Sequence, residues 1–118
     1  MAGTISVIQG EASTERTKAI KDVDGAVVDV STATCTFVVV SNDKLDTNLF
    51  TVADGSFDKS AGASGILSFP ISSTNSNQKA PPGGKAVYKG ELKVLISASN
   101  IKKTFVDFIV ENTRDTAN

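Results

Sequence analysis

The chain has 118 residues, of which 40% are apolar and 21% charged, with twelve basic side chains against thirteen acidic ones and no histidine. That length holds one core and not two, and the composition is that of a folding chain rather than a disordered one. The near-balance of charge removes the electrostatic footprint needed to wrap a nucleic acid, and no apolar run approaches the ~20 residues of a membrane span.

Val, Ile, Thr and Phe are plentiful while strong helix formers are scarce, so the expected class is all-β. Thr4 to Gln9 alternates in part and stops at Gly10, as a short strand near a sheet edge does. Glu15 to Val23 is a second extended segment. It ends at Asp22-Val23-Asp24-Gly25, where Asp-Gly supplies the positive φ of a tight turn, and Ala26 to Val30 returns. Ala33 to Ser41 is the clearest strand, with Ala33, Cys35, Phe37 and Val39 on a core face. A polar loop at Ser41-Asn42-Asp43-Lys44 follows, then a strand over Asn48 to Ala53 closed by Asp54-Gly55.

Ser60 to Gly65 reads as a small-residue loop. Leu67, Phe69 and Ile71 then share a face, while Pro70 consigns their strand to an edge or a bulge. Ser72 to Gly84 is the longest loop, too polar to pack and expected to be flexible. Lys85 to Ile96 places Ala86, Tyr88, Gly90, Leu92, Val94 and Ile96 on one face and mostly charge on the other. After a turn at Ser97 to Asn100, Lys103 to Val110 sets Val106, Phe108 and Val110 against Phe105, Asp107 and Ile109. The expected fold is a two-sheet antiparallel β-sandwich of about seven or eight strands in a single domain spanning 1–118, with its core at about 4–111 and a polar tail at 112–118. The expected interior comprises Cys35, Phe37, Val39, Leu67, Phe69, Tyr88, Leu92, Val94, Val106 and Phe108.

The chemistry available to such a chain is narrow. Without histidine there is no Ser-His-Asp or Cys-His arrangement and no imidazole metal ligand, and one cysteine, Cys35, makes neither a thiolate zinc site nor a disulfide. Cys35 lies between Thr34 and Thr36 in mid-strand, where a buried apolar thiol is the plain reading and a nucleophile the sharper one. The carboxylates fall in turns, at Asp22, Asp24, Asp43, Asp46, Asp54 and Asp58, rather than as a pair across a cleft. Asp22, Asp24 and Asp29 suggest a calcium loop, but the spacing departs from the EF-hand. Gly83-Gly84-Lys85 is followed by Ala86 and a strand where a phosphate loop needs Ser or Thr and a helix. Lys85, Lys89 and Lys93 form a period-2 stripe, read either as a solvated strand face or as a surface for an acidic partner. No catalytic residue, cofactor or metal is expected, and the chain is read as a non-enzyme.

The order of these signals resembles the immunoglobulin-like N-terminal domain of upper baseplate proteins of tailed bacteriophages. The residues that carry the resemblance are Val7-Ile8-Gln9-Gly10-Glu11, then Lys21 to Ser31 with Asp22-Val23-Asp24-Gly25 and Val28-Asp29-Val30, then Ala33 to Val39. Pro81-Pro82-Gly83-Gly84-Lys85-Ala86-Val87-Tyr88 follow, opening a strand that runs through Leu92-Lys93-Val94. Val30 stands where the family has Leu, Gly84 is an extra residue in its Pro-Gly turn, and the family's proteins continue into further segments.

The resemblance implies an immunoglobulin-like sandwich and a structural component of a phage virion, either a capsid decoration or cement protein or a small tail, baseplate or collar component. Its implied partners are other virion proteins and copies of itself, with neither nucleic acid nor membrane insertion. Met1-Ala2-Gly3-Thr4-Ile5 lacks the pattern of a secretory signal, so the expected location is the virion, after synthesis in the host cytoplasm. The expected assembly interface lies in polar segments free to extend: Met1, Ala2, Gly3, Thr4, Ser76, Asn77, Gln78, Lys79, Asn112, Thr113 and Arg114. The alternative is an adhesion module that binds a host-surface glycan or protein through its loops.

Overall fold

Alternating segments with one apolar face cannot stay solitary in water, and in this chain they pair into two sheets. The computed structural model describes residues 3–40, 48–80 and 83–112. Its strands are β1 (Gly3–Ile8), β2 (Ser13–Arg16), β3 (Thr34–Val40), β4 (Asn48–Val52), β5 (Ser68–Ile71), β6 (Lys85–Ser97) and β7 (Asn100–Glu111), with two 3-10 turns (Asp54–Ser56 and Gly62–Ser64) and one turn of α-helix, α1 (Ser73–Ser76), among the described residues. A five-stranded sheet ordered β1-β7-β6-β3-β4 lies against a two-stranded sheet of β2 and β5. The fold is all-β, as the composition requires.

One expectation of pairing is corrected. The sheets are not antiparallel throughout, because β1 runs parallel to β7, Gly3 opposite Val106 through Ile8 opposite Glu111. A hairpin turn cannot join parallel neighbours; here the connection is nearly all the rest of the chain. The other pairings are antiparallel. Pro70 sits on β5, whose one partner strand among the described residues is β2, so its missing N–H is tolerated at an edge as anticipated.

The core forms where the two sheets meet. Cys35, Phe37 and Val39 from β3, Leu92 and Val94 from β6, and Phe108 and Val110 from β7 face Leu67, Phe69 and Ile71. The Phe37 ring lies 5.0 Å from that of Phe69 and 6.4 Å from that of Phe108, while Phe50 meets Phe108 edge-on at 5.4 Å. Full burial of each such side chain is worth roughly 1.5–3 kcal/mol. Tyr88 and Val106, expected inside, are half-buried at the rim. Gly90 makes the central ring stack possible: a Cβ there would stand 2.9 Å from Phe37 Cζ and 2.9 Å from Val106 Cγ2, closer than carbon atoms pack.

The two strands of the smaller sheet differ in character: β5 supplies Phe69 and Ile71 to the core, while β2 is polar. On the inner side of β2, Ser13 and Glu15 face the core region half-buried, and burial pushes the Glu15 carboxyl above its ordinary range against a weaker opposing hydrogen bond from Ser13. Between β2 and β3 the chain makes the anticipated hairpin. Lys21 pairs with Val27, Gly25 takes φ 84°, and the Asp22 carboxylate accepts the N–H groups of Asp24 and Ala26. Residues 41–47, where the sequence places a polar loop, lie outside the described residues.

Candidate functional site

The end of the sandwich where β1 and β7 finish gathers five of the residues expected at an interface: Ser76, Asn77, Gln78, Lys79 and Asn112. The segment after β5 begins with Ser72, whose Oγ accepts the Asn75 N–H and caps α1. The turn brings Ser76 inward, where its hydroxyl donates to the carbonyl of Glu11 at 2.7 Å. Gln9 Nε2 donates to the Gln78 carbonyl at 2.8 Å, Tyr88 Oη to that of Lys79 at 2.7 Å, and Asn112 Nδ2 to that of Ala80 at 3.1 Å. The Asn112 N–H closes the set on the Gly84 carbonyl at 2.8 Å.

This arrangement overturns the expectation that the Ser72 to Gly84 stretch is too polar to pack. Its backbone carbonyls are the acceptors, and the donors come from the ends of β1, β6 and β7, so the polarity that argued against burial is satisfied by burial. Ser76 and Asn112 are both buried. Their side chains bond within the chain, to the carbonyls of Glu11 and Ala80. Asn77 and Lys79 remain exposed on the same segment, and Gln78 is half-exposed. An open depression of about 300 Å³ lies at the start of β6 and the end of β7, lined by Gly83, Gly84, Lys85, Glu111 and Asn112. It holds one cation and one carboxylate but no nucleophile.

Gly3 and Thr4 are not part of this cluster. They lie at the other end of β1, beside Val106 and Asp107, ~16 Å away at the rise of an extended strand. Thr4 stands next to the ion pair of Lys89 Nζ with Asp107 Oδ1, 2.8 Å apart on the outer face of the large sheet. Met1, Ala2, Thr113 and Arg114 lie outside the described residues.

The remaining candidates resolve into local structure. Asp29 Oδ1 accepts both the N–H and the hydroxyl of Ser31, which holds its carboxyl below the usual range. With Asp22 occupied in its own turn, the two carboxylates serve separate bends. No group of three or more His, Cys, Asp or Glu side chains that could hold a metal occurs among the described residues. Cys35 is fully buried, and burial pushes its thiol up, away from the thiolate form a nucleophile needs. Among the described residues no helix is long and apolar enough to cross a membrane.

Sequence reasoning passed over one surface. The outer face of the large sheet carries exposed apolar side chains: Phe105 at 60%, Ile101 at 43%, Val87 at 41% and Ile8 at 39%. The signal was present in the last strand, where Phe105 and Ile109 alternate with Val106 and the core residues Phe108 and Val110, so that apolar side chains stand on both of its faces. No protein-family model matches the chain, and no curated protein matches it at a significant level.

Proposed function

We propose that the chain is an immunoglobulin-like structural module of a tailed-bacteriophage particle, working without catalysis by docking onto other virion proteins. The observation that carries the reading is the strand order. In the immunoglobulin scheme strands B and E are neighbours in one sheet, while C, F and G, extended by C′, form the other. By position in the chain β2 and β5 take the places of B and E, and β4-β3-β6-β7 those of C′-C-F-G, with β1 added beside G. The residues behind the resemblance also fall where the chain turns, at Asp22 to Gly25 and at Gly83 before β6.

A module of this kind acts through its surface, and two parts of that surface are suited to contact. Asn77 and Lys79 project from a segment already fixed by hydrogen bonds, so they lose little further freedom on docking. Phe105 and its apolar neighbours lie on a rigid sheet face. Both parts are consistent with attachment to a large assembly.

The test is to purify phage particles by density gradient from cells carrying the gene, and to quantify the chain against the major capsid protein by mass spectrometry. A fixed stoichiometric ratio across independent preparations is expected. Particles free of the chain overturn the virion reading. If the chain is present, Lys79→Glu with Asn77→Ala, shown by melting to fold, is expected to lower incorporation.

A further inference from the structure

The β6–β7 hairpin outruns its neighbours. β1 flanks β7 only from Val106 to Glu111, so the stretch from Asn100 to Phe105 has β6 on one side and no described strand on the other. Two hydrogen bonds fix which way its backbone points. Gln9 N–H donates to the Glu111 carbonyl, and Asn112 N–H donates to the Gly84 carbonyl that precedes β6. Odd-numbered residues of β7 therefore direct their N–H and C=O groups to the β1 side and even-numbered ones to β6. The register is unbroken from Lys85 opposite Glu111 to Leu95 opposite Ile101, so Ile101 and Lys103 turn their backbone groups along the open edge.

We propose that this open edge of β7 is a docking site for an extended acidic segment of another protein, which adds to the sheet as a strand in line with β1. The edge already accepts a strand further along, where β1 itself is seated. An added strand gains main-chain bonds from Ile101 and Lys103, and its side chains lie beside the exposed Ile101 and Phe105 on the outer face.

Charge selects the occupant. From Lys93 to Thr104 the hairpin carries Lys93, Lys102 and Lys103 and no carboxylate. Lys93 and Lys103 are directly opposite each other, a like-charge pair that weakens the sheet unless an opposite charge lies between them. Elsewhere on the same face Lys89 is paired with Asp107 and Lys85 lies opposite Glu111, while Glu91, opposite Phe105 and diagonal to Lys103, makes no ion pair with Lys93 or Lys103 among the described residues. A glutamate or aspartate on the incoming strand would lie beside Lys103, on the side away from Lys93, and offset the charge that Lys93 opposes. A second copy of the chain does not: an antiparallel pairing of two such edges centred on Lys103 sets lysine against lysine. The inference goes beyond the virion reading and stands apart from it, since the edge either binds acidic strands in solution or does not, wherever the protein resides.

The experiment is an NMR titration of the whole isotopically labelled chain with a short peptide alternating valine and glutamate, and with its valine–lysine counterpart. The expected result is that the amides of Ile101 and Lys103 shift and gain protection from exchange with the glutamate peptide. The lysine peptide binds at least about tenfold more weakly, and added salt narrows the gap. Lys103→Glu weakens binding of the glutamate peptide by about tenfold or more. Lys103→Pro removes an edge N–H but no bond to β6 and abolishes binding; if it fails to fold, Lys103→Glu and the amide map decide. No change at Ile101 and Lys103 up to millimolar peptide, equal binding of both peptides, or shifts confined to another surface would overturn the proposal and leave the lysines as guards against edge pairing.

Discussion

Replacing Gly90 by Ala and Phe37 by Ala, singly and together, tests how the centre of the sandwich is packed. Phe37 is fully buried, with its ring 5.0 Å from that of Phe69 and 6.3 Å from that of Phe50. Its truncation is expected to cost ~3–5 kcal/mol, from lost transfer energy and the cavity left behind. Gly90→Ala pulls in two directions. Alanine gains roughly 0.5–1 kcal/mol over glycine in a strand, but its Cβ would sit 2.9 Å from Phe37 Cζ and from Val106 Cγ2, and overpacking of this kind costs about 1–3 kcal/mol. A net loss is expected for the single substitution. In the Phe37→Ala background the ring is gone and only Val106 still opposes the methyl, so the same substitution is expected to be neutral or stabilising, with a coupling of about 1–3 kcal/mol between the sites. The chain has no tryptophan, so the assay is urea unfolding followed by far-ultraviolet circular dichroism, with midpoints compared at constant m. If the two effects add, or if Gly90→Ala alone stabilises the protein, Gly90 is not the space the ring occupies.

Three further outcomes follow from described contacts. Asp54 accepts from Lys59 Nζ and from the Cys35 N–H, both at 2.7 Å, and these bonds hold its carboxyl below the ordinary value. With the folded value below the unfolded one, the stabilisation is present above about pH 4 and lost as pH falls through the folded value. Asp54→Asn is therefore expected to flatten the acid limb of a melting-temperature profile, and an unchanged limb counts against this account. The Cys35 thiol is expected to resist a disulfide reagent in native buffer and to react fully in denaturant; fast native labelling contradicts its burial. Ser76→Ala removes the donor to the Glu11 carbonyl and is expected to cost about 1 kcal/mol, with hydrogen exchange accelerating first at residues 72–80; a uniform acceleration refutes the local clamp.

The parts of the fold legible in sequence were those with chemical contrast between alternate residues. β3 and β6 set apolar side chains against threonine, lysine and glutamate, so a period of two identified both the strand and its buried face. Asp22 to Gly25 was legible because a hairpin needs φ > 0 and glycine supplies it. β2 was placed too late and too long, because its inward residues Ser13 and Glu15 carry no apolar signal. The parallel pairing of β1 with β7 left no local mark, since it depends on which edge is vacant once the other strands are in place. The interface residues show the same limit. Ser76 and Asn112 look like free polar groups in the sequence, and only the arrival of Glu11 and Ala80 from distant segments makes them internal. Phe105 was set on the face opposite Val106, Phe108 and Val110, where it is exposed, but its apolar character there was not followed to a surface.

The pairing of the first strand with the last also orders the protein's making. While the chain is being synthesised, β1 emerges long before the edge it will occupy exists, and it must wait, unpaired and with Ile5 and Val7 uncovered, until β7 has been released. The remaining strands can form hairpins or cross to the second sheet earlier. Closure of the sheet is thus the step with the greatest separation in sequence, the kind of contact that slows folding. A protein that completes its edge last also passes through a state in which that edge is vacant along its whole length. In a cell making many copies at once, that interval is when one chain's first strand can be taken up by another chain's last.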